Sequence, residues 1–103
     1  LTTYIKKDII EKVADKAGIE LRLASEAVNA VFASLRELMV EGTSECRIEI
    51  RNFGVFEVKN TAAKPKARNP KKPDQIIYIP PRRKTHFRPG KVLKIALRKP
   101  IKS

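Results

Sequence analysis

Apolar residues recur at helical spacing through the first forty positions of the chain. Ile5, Ile9, Val13 and Ala17 stand four apart, Ile10 and Ala14 widen the stripe, and Lys6, Lys7, Glu11, Lys12 and Asp15 stay off it. The spacing predicts an amphipathic helix over Thr3–Ala17, with Thr2 or Thr3 as its cap and Gly18 as a left-handed terminator. A second helix is predicted from Glu20 to Glu41, where Ala24, Val28, Val31, Leu35 and Leu38 alternate spacings of four and three. Ala27, Phe32 and Met39 broaden that seam over an arc that needs partners on more than one side. A chain of 103 residues has little else to supply them, so the second side is expected to meet another copy of the chain. The alternative is a stripe that serves only its own monomer core.

After Gly42 the period changes from helix to strand. Arg47-Ile48-Glu49-Ile50-Arg51 alternates charged and apolar residues, as a half-buried strand does. Asn52-Phe53-Gly54 reads as a turn and Val55 to Lys59 as the returning strand, a hairpin with one apolar face. From Asn60 to Asp74 the large apolar side chains disappear among Lys, Arg, Ala and Pro, a composition that cannot help to build a core. Ile76-Ile77-Tyr78-Ile79 then resumes a strand signal. Two extended legs around a Pro-containing turn predict a protruding β-arm, the alternative being a plain loop. A short helix is expected from Pro89-Gly90 through Leu97, ended by Pro100. The expected fold is α+β, with two N-terminal helices, a three-stranded antiparallel sheet with a long β-arm and a short C-terminal helix: one domain with a helical base (1–42), a β-hairpin (45–59), an arm (60–82), and a strand end with the C-terminal helix (83–103).

Charge changes the picture more than composition does. Lys and Arg number 23 against 11 Asp and Glu, a formal charge of +12, which points to a polyanionic partner. Nucleic acid leads, with an acidic membrane surface or acidic protein behind it. Six basic and eight acidic residues lie up to Cys46, but seventeen basic and three acidic follow, and Asp74 is the sole acid after Glu57. The first half reads as scaffold and the second as binding surface.

Three motifs occur in order: Phe53-Gly54-Val55-Phe56, Arg68-Asn69-Pro70 and Phe87-Arg88-Pro89-Gly90-Lys91. Together with the plan of helix, helix, hairpin, arm and helix, they resemble the bacterial HU/IHF family of histone-like DNA-bending proteins over essentially the whole chain. The resemblance implies an intertwined dimer whose two arms lie in the minor groove of duplex DNA, with Pro70 as the intercalating wedge. A rigid apolar ring between base pairs costs a few kcal/mol of unstacking, offset because the kinked duplex meets more basic surface. Arg68 and Asn69 are then the minor-groove residues, reading shape more than sequence. Lys64, Lys66, Lys71, Lys72, Arg82 and Arg83 are the expected phosphate partners along the arm. Arg51, Lys84, Arg88, Gly90 and Lys91 are the expected phosphate partners on the body. Val28, Phe32, Leu35, Phe53, Phe56 and Phe87 are expected in the dimer core rather than stacked on bases. The chain departs from the family pattern at the arm turn, where Lys71-Lys72-Pro73-Asp74-Gln75 lacks glycine and is one residue longer. It departs also at Arg51-Asn52, which adds charge to the hairpin turn, and at Ile76–Ile79, more apolar than the usual leg and assigned to packing between strands.

Other classes of chemistry find little support. There are no paired carboxylates beside a His, no nucleophile elbow and no phosphate-binding glycine loop, so a binding protein is expected, not an enzyme. His86 is the sole histidine and Cys46 the sole cysteine, so no metal site, cofactor or disulfide framework is expected and Cys46 is read as a buried structural thiol. No run approaches the roughly 18 apolar residues of a membrane span, so no membrane partner and no small-molecule substrate are expected, and the location is cytoplasmic, with the nucleoid. A basic RNA-binding or ribosome-associated protein is the competing class, disfavoured by the lack of an aromatic-rich sheet motif for stacking single-stranded bases. Whether the partner chain is identical or a paralogue, and whether binding is general or restricted to sites, stays open.

Overall fold

The computed structural model describes residues 1–42 and 44–101; the last two residues of the predicted 83–103 segment lie outside them. Two compact units are present, Leu1–Glu41 and Gly42–Ser103.

The first unit is a pair of helices, α1 (Lys6–Ala17) and α2 (Leu21–Val40). Neither Thr2 nor Thr3 caps α1. The cap is Ile5, whose backbone N–H donates to the Asp8 carboxylate at 2.7 Å while its carbonyl accepts from the Asp8 N–H at 3.0 Å. An acid three residues into the helix therefore satisfies the donor that the expected threonine caps were to serve from in front. Gly18 takes the left-handed conformation at φ 65° and its N–H closes on the Ala14 carbonyl, as expected. Only Ala24 and Val28 are buried in the pair. Much of the α2 seam remains open, with Val31 56%, Phe32 42% and Leu38 51% exposed.

The second unit holds β1 (Cys46–Ile50), β2 (Gly54–Asn60), β3 (Lys64–Asn69), β4 (Lys72–Ile79), β5 (Arg83–Pro89) and α3 (Lys91–Leu97). A three-stranded antiparallel sheet runs β1-β2-β5, and β3 and β4 form a separate two-stranded hairpin. The expected α+β plan with a three-stranded sheet and an arm is thus present. Pairing of β2 with β5 runs unbroken from Gly54↔Pro89 to Asn60↔Arg83. That register places Ile48, Phe56 and Phe87 side by side on one face and Arg47, Glu57 and His86 on the other, because side chains alternate across a strand. The rings of Phe56 and Phe87 lie 4.9 Å apart between centroids and those of Phe53 and Phe87 5.3 Å, within the range of favourable aromatic pairs. Gly54 is required here: a Cβ would stand 2.5 Å from the Arg88 carbonyl oxygen and 2.6 Å from the Phe87 ring. Asn52 completes the β1–β2 turn in the left-handed region at φ 65°, which asparagine tolerates better than most residues. Cys46, the sole cysteine, is half-buried rather than fully buried.

Candidate nucleic-acid interface

The arm hairpin is built from the least core-like part of the sequence. Pairing links Lys64↔Ile79, Ala67↔Ile77, Arg68↔Ile76 and Asn69↔Lys72, with breaks in register between Lys64 and Ala67 and between Arg68 and Asn69. The tip is the two-residue turn Pro70-Lys71. Asn69 closes it: its Oδ1 accepts from the Lys71 backbone N–H at 3.0 Å, and its Nδ2 donates to the Gln75 side-chain oxygen at 3.3 Å. The side-chain turn formed by Asn69 replaces the glycine that this tip lacks. Pro70 is exposed at the outermost position, flanked by exposed Arg68, Lys71 and Lys72.

At the other end of the arm, Thr61 ties the two legs together. Its N–H donates to the Arg82 carbonyl at 2.7 Å, and its hydroxyl accepts from the Arg82 N–H at 3.0 Å. The neighbouring Asn60 N–H donates to the Glu45 carboxylate at 3.0 Å. The Arg82 backbone is thereby used, and an open cleft lined by Asn60, Pro81, Arg82 and Arg83 lies beside it. Lys64, Lys66 and Arg82 are exposed along the legs, and Arg83 is half-buried.

The polar face of the body sheet continues the positive charge. Lys59 and Lys84 are direct neighbours across β2 and β5 and both are exposed, an arrangement that repels unless an anion bridges it. Arg88 is held differently. Its Nε stands 3.2 Å from Oε1 of Glu57, which is 7% exposed, and Lys59 Nζ stands 3.8 Å from Oε2 of the same carboxylate. Glu57 Oε1 is buried without an aligned hydrogen bond, so it is held by charge and by little else. At the end of the sheet, exposed Arg51 sits in the β1–β2 turn and exposed Lys91 begins α3. The Gly90 N–H is donated to the Phe53 carbonyl at 2.8 Å. It therefore fastens α3 to the turn, and the next residue, Lys91, keeps its ammonium exposed.

Among the expected core residues, Val28 is buried at 5% exposure and Leu35, Phe56 and Phe87 are half-buried, whereas Phe32 and Phe53 stay 42% and 45% exposed in the single chain. Thr61, Glu45, Glu57 and Gln75 escaped the sequence reading. Thr61 and Glu45 act over separations of 21 and 15 residues, which local patterns do not carry. The isolated acid Glu57 in a basic segment was the one signal available.

The sequence matches the bacterial DNA-binding protein family over residues 4–98. The chain belongs to the bacterial HU/IHF family. This HU-family chain is 39% identical over 92 residues to DNA-binding protein HU-1 of Halalkalibacterium halodurans, covering 89% of this chain and 97% of that protein. It is 37% identical over 93 residues to DNA-binding protein HU of Geobacillus stearothermophilus, covering 90% of this chain and 98% of that protein. Its fold is similar to that of a chain from an Anabaena HU–DNA cocrystal structure, with a TM-score of 0.79 and 26% identity over 94% of this chain and 100% of the other. As a member of this family it is an architectural DNA-binding protein, and the basic face of its second unit is the surface with the charge for that role. Among the described residues, no helix is long and apolar enough to cross a membrane and no group of three His, Cys, Asp or Glu is gathered to hold a metal.

Proposed function

We propose that a dimer of this chain grips duplex DNA by laying its two arms in the minor groove, with little sequence specificity, and bends it by inserting Pro70 between base pairs. The observation that carries the reading is the tip: a proline exposed at the outermost turn, fixed from behind by Asn69 and flanked by cations. A preformed ring with no N–H loses little entropy and leaves no donor unsatisfied within the stack. Arg68, Lys64, Lys66, Lys71 and Lys72 meet groove and phosphates along the arm. Arg82 and Arg83 do so at its root, and Arg51, Lys84, Arg88 and Lys91 hold the flanks of the bent duplex. Asn69 spends one amide proton on Gln75 and one lone pair on the Lys71 N–H, which presents Pro70, and its second amide proton is left for a base acceptor.

The dimer is supported by exposed area. On α2 the apolar Val31, Phe32 and Leu38 are 56%, 42% and 51% exposed, and in the β1–β2 turn Phe53 is 45% exposed. The open α2 seam of the first unit and Phe53 of the second are the apolar surfaces a second copy would cover. Relatives named HU support general binding over the site-restricted kind, and with it chromosome compaction in the cytoplasmic nucleoid. The protein acts by binding and not by catalysis. The test is end-to-end FRET of a labelled duplex of roughly 35 base pairs, titrated with the parent protein and with Pro70→Ala. A rise in FRET that the variant largely loses, at nearly unchanged affinity, is expected because phosphate contacts supply most of the binding energy. Bending and affinity that fall in parallel would remove the wedge role.

A further inference from the structure

The arm carries a row of apolar side chains that packing between its own strands does not use. Ile77 and Ile79 are half-buried, but Ile76 and Tyr78, on the opposite face of β4, are 65% and 61% exposed. Ile76 is paired directly with Arg68, so the guanidinium and the apolar row share one face of the hairpin. Tyr78 falls beside the register break that contains Pro65 and Lys66. The face is therefore mixed, with the Arg68 cation beside an apolar row.

The charge around the row selects its occupant. Residues 60–82 contain six Lys and Arg and a single acid, Asp74. A second arm laid face to face would bring like charges together without a countercharge. A polyanion with apolar walls between its charges meets both halves of the pattern, and the minor groove is such a surface, with deoxyribose C–H walls between two phosphate rows. Resting on the reading of the arm as a groove binder, the geometry points to Ile76 and Tyr78 as groove-contacting residues that press on the sugar walls beside Arg68 and give this arm a component of DNA affinity that salt does not weaken. Counterion release sets the slope of log K against log salt through phosphate contacts alone. Apolar contacts shift the whole line and leave the slope as it is.

The experiment is a salt titration of the full chain on the same 35-base-pair duplex with three variants. Ile76→Thr/Tyr78→Thr keeps strand propensity and removes apolar area, Ile76→Val/Tyr78→Phe keeps the area, and Lys66→Ala removes a cation. The threonine pair is expected to bind about tenfold more weakly at every salt concentration with the parent's slope. The Val/Phe pair should bind like the parent, and Lys66→Ala, present in both arms of the dimer, should lose about 1.8 of slope, about 0.9 for each phosphate contact. A threonine pair that binds like the parent, or loses slope as Lys66→Ala does, overturns the assignment. If the parent bends DNA and the threonine pair binds it equally well, this inference alone fails; if the parent neither binds nor bends the duplex, the groove reading fails and takes this one with it. Vesicles of phosphatidylglycerol and phosphatidylcholine provide the remaining arm. Sedimentation of the parent but not the threonine pair with them, beside unchanged DNA affinity, would give the row to a lipid surface instead.

Discussion

The body sheet and the arm are both antiparallel β-structure in the same unit, yet different forces hold them. In the sheet, β2 and β5 pair for seven residues without a slip, and one face gathers Ile48, Phe56 and Phe87 while the other holds the charges. A slip of one residue would exchange those faces, so side-chain burial fixes the register. In the arm the register breaks twice within six residues of β3, and the hairpin is defined at its ends by Asn69 and Thr61 instead of along its length by packing. Geometry in the sheet is set by the chain itself. In the arm it is set by two polar clasps, and the surface between them is left for a partner.

A substitution at Gly54 would break the sheet and gives the largest effect. In Gly54→Ala the added methyl group meets the Arg88 carbonyl and the Phe87 ring at distances that backbone and ring must both relieve. About 3 kcal/mol of stability should be lost, read as a fall in the thermal midpoint at fixed protein concentration. Pro70→Ala, at an exposed turn, should stay within about 0.5 kcal/mol of the parent. Equal midpoints for the two variants would mean that the body sheet is not the stable part of the unit.

Thr61→Val should loosen the arm and leave the sheet intact. It removes the hydroxyl that pairs with the Arg82 backbone, a change of about 1 kcal/mol. Amide exchange should quicken over β3 and β4 with little change over β2. Uniform quickening would show that the root clasp belongs to the sheet as much as to the arm.

What the sequence made legible follows the same division. The segment 47–51 announces the sheet because charged and apolar residues alternate there in the sequence itself, as they do on a strand. The α2 seam is equally plain from Ala24 to Leu38. The start of α1 was misplaced because its donor is satisfied from within the helix, by Asp8, while attention falls on the threonines that precede the stripe. The paired strand β3, Lys64–Asn69, is nearly silent as a strand: its partners are backbone groups, and lysine and proline report solvent rather than pairing. The tip was legible only through Arg68-Asn69-Pro70. That motif placed Pro70 outermost but gave no hint that the Asn69 amide would be turned inward toward Gln75.

Charge on the body offers a finer test. Glu57 holds Arg88 and, more loosely, Lys59, so one carboxylate competes with a phosphate for both cations. Glu57→Gln keeps the shape and removes that competition. The slope of log K against log salt should steepen by about 1.8, about 0.9 from each chain of the dimer, if Arg88 alone gains a phosphate. An unchanged slope would show that the pair opens without cost when DNA binds, or that this edge of the sheet never meets it.

The smallest expected effect separates the wedge from its mount. Gln75→Ala removes one long, exposed hydrogen bond, Asn69 Nδ2 to Gln75 Oε1 at 3.3 Å, and leaves the shorter Asn69 contact to the Lys71 N–H at 3.0 Å. Because the surviving contact closes the turn, stability should change by less than about 0.5 kcal/mol and the salt slope not at all. The FRET rise should be nearly that of the parent. If it fell as far as in Pro70→Ala with affinity held, presentation of the ring would matter as much as the ring itself. The arm would then need both side-chain contacts of Asn69 to bend DNA, and its glycine-free tip would be tuned by Gln75 from the opposite leg.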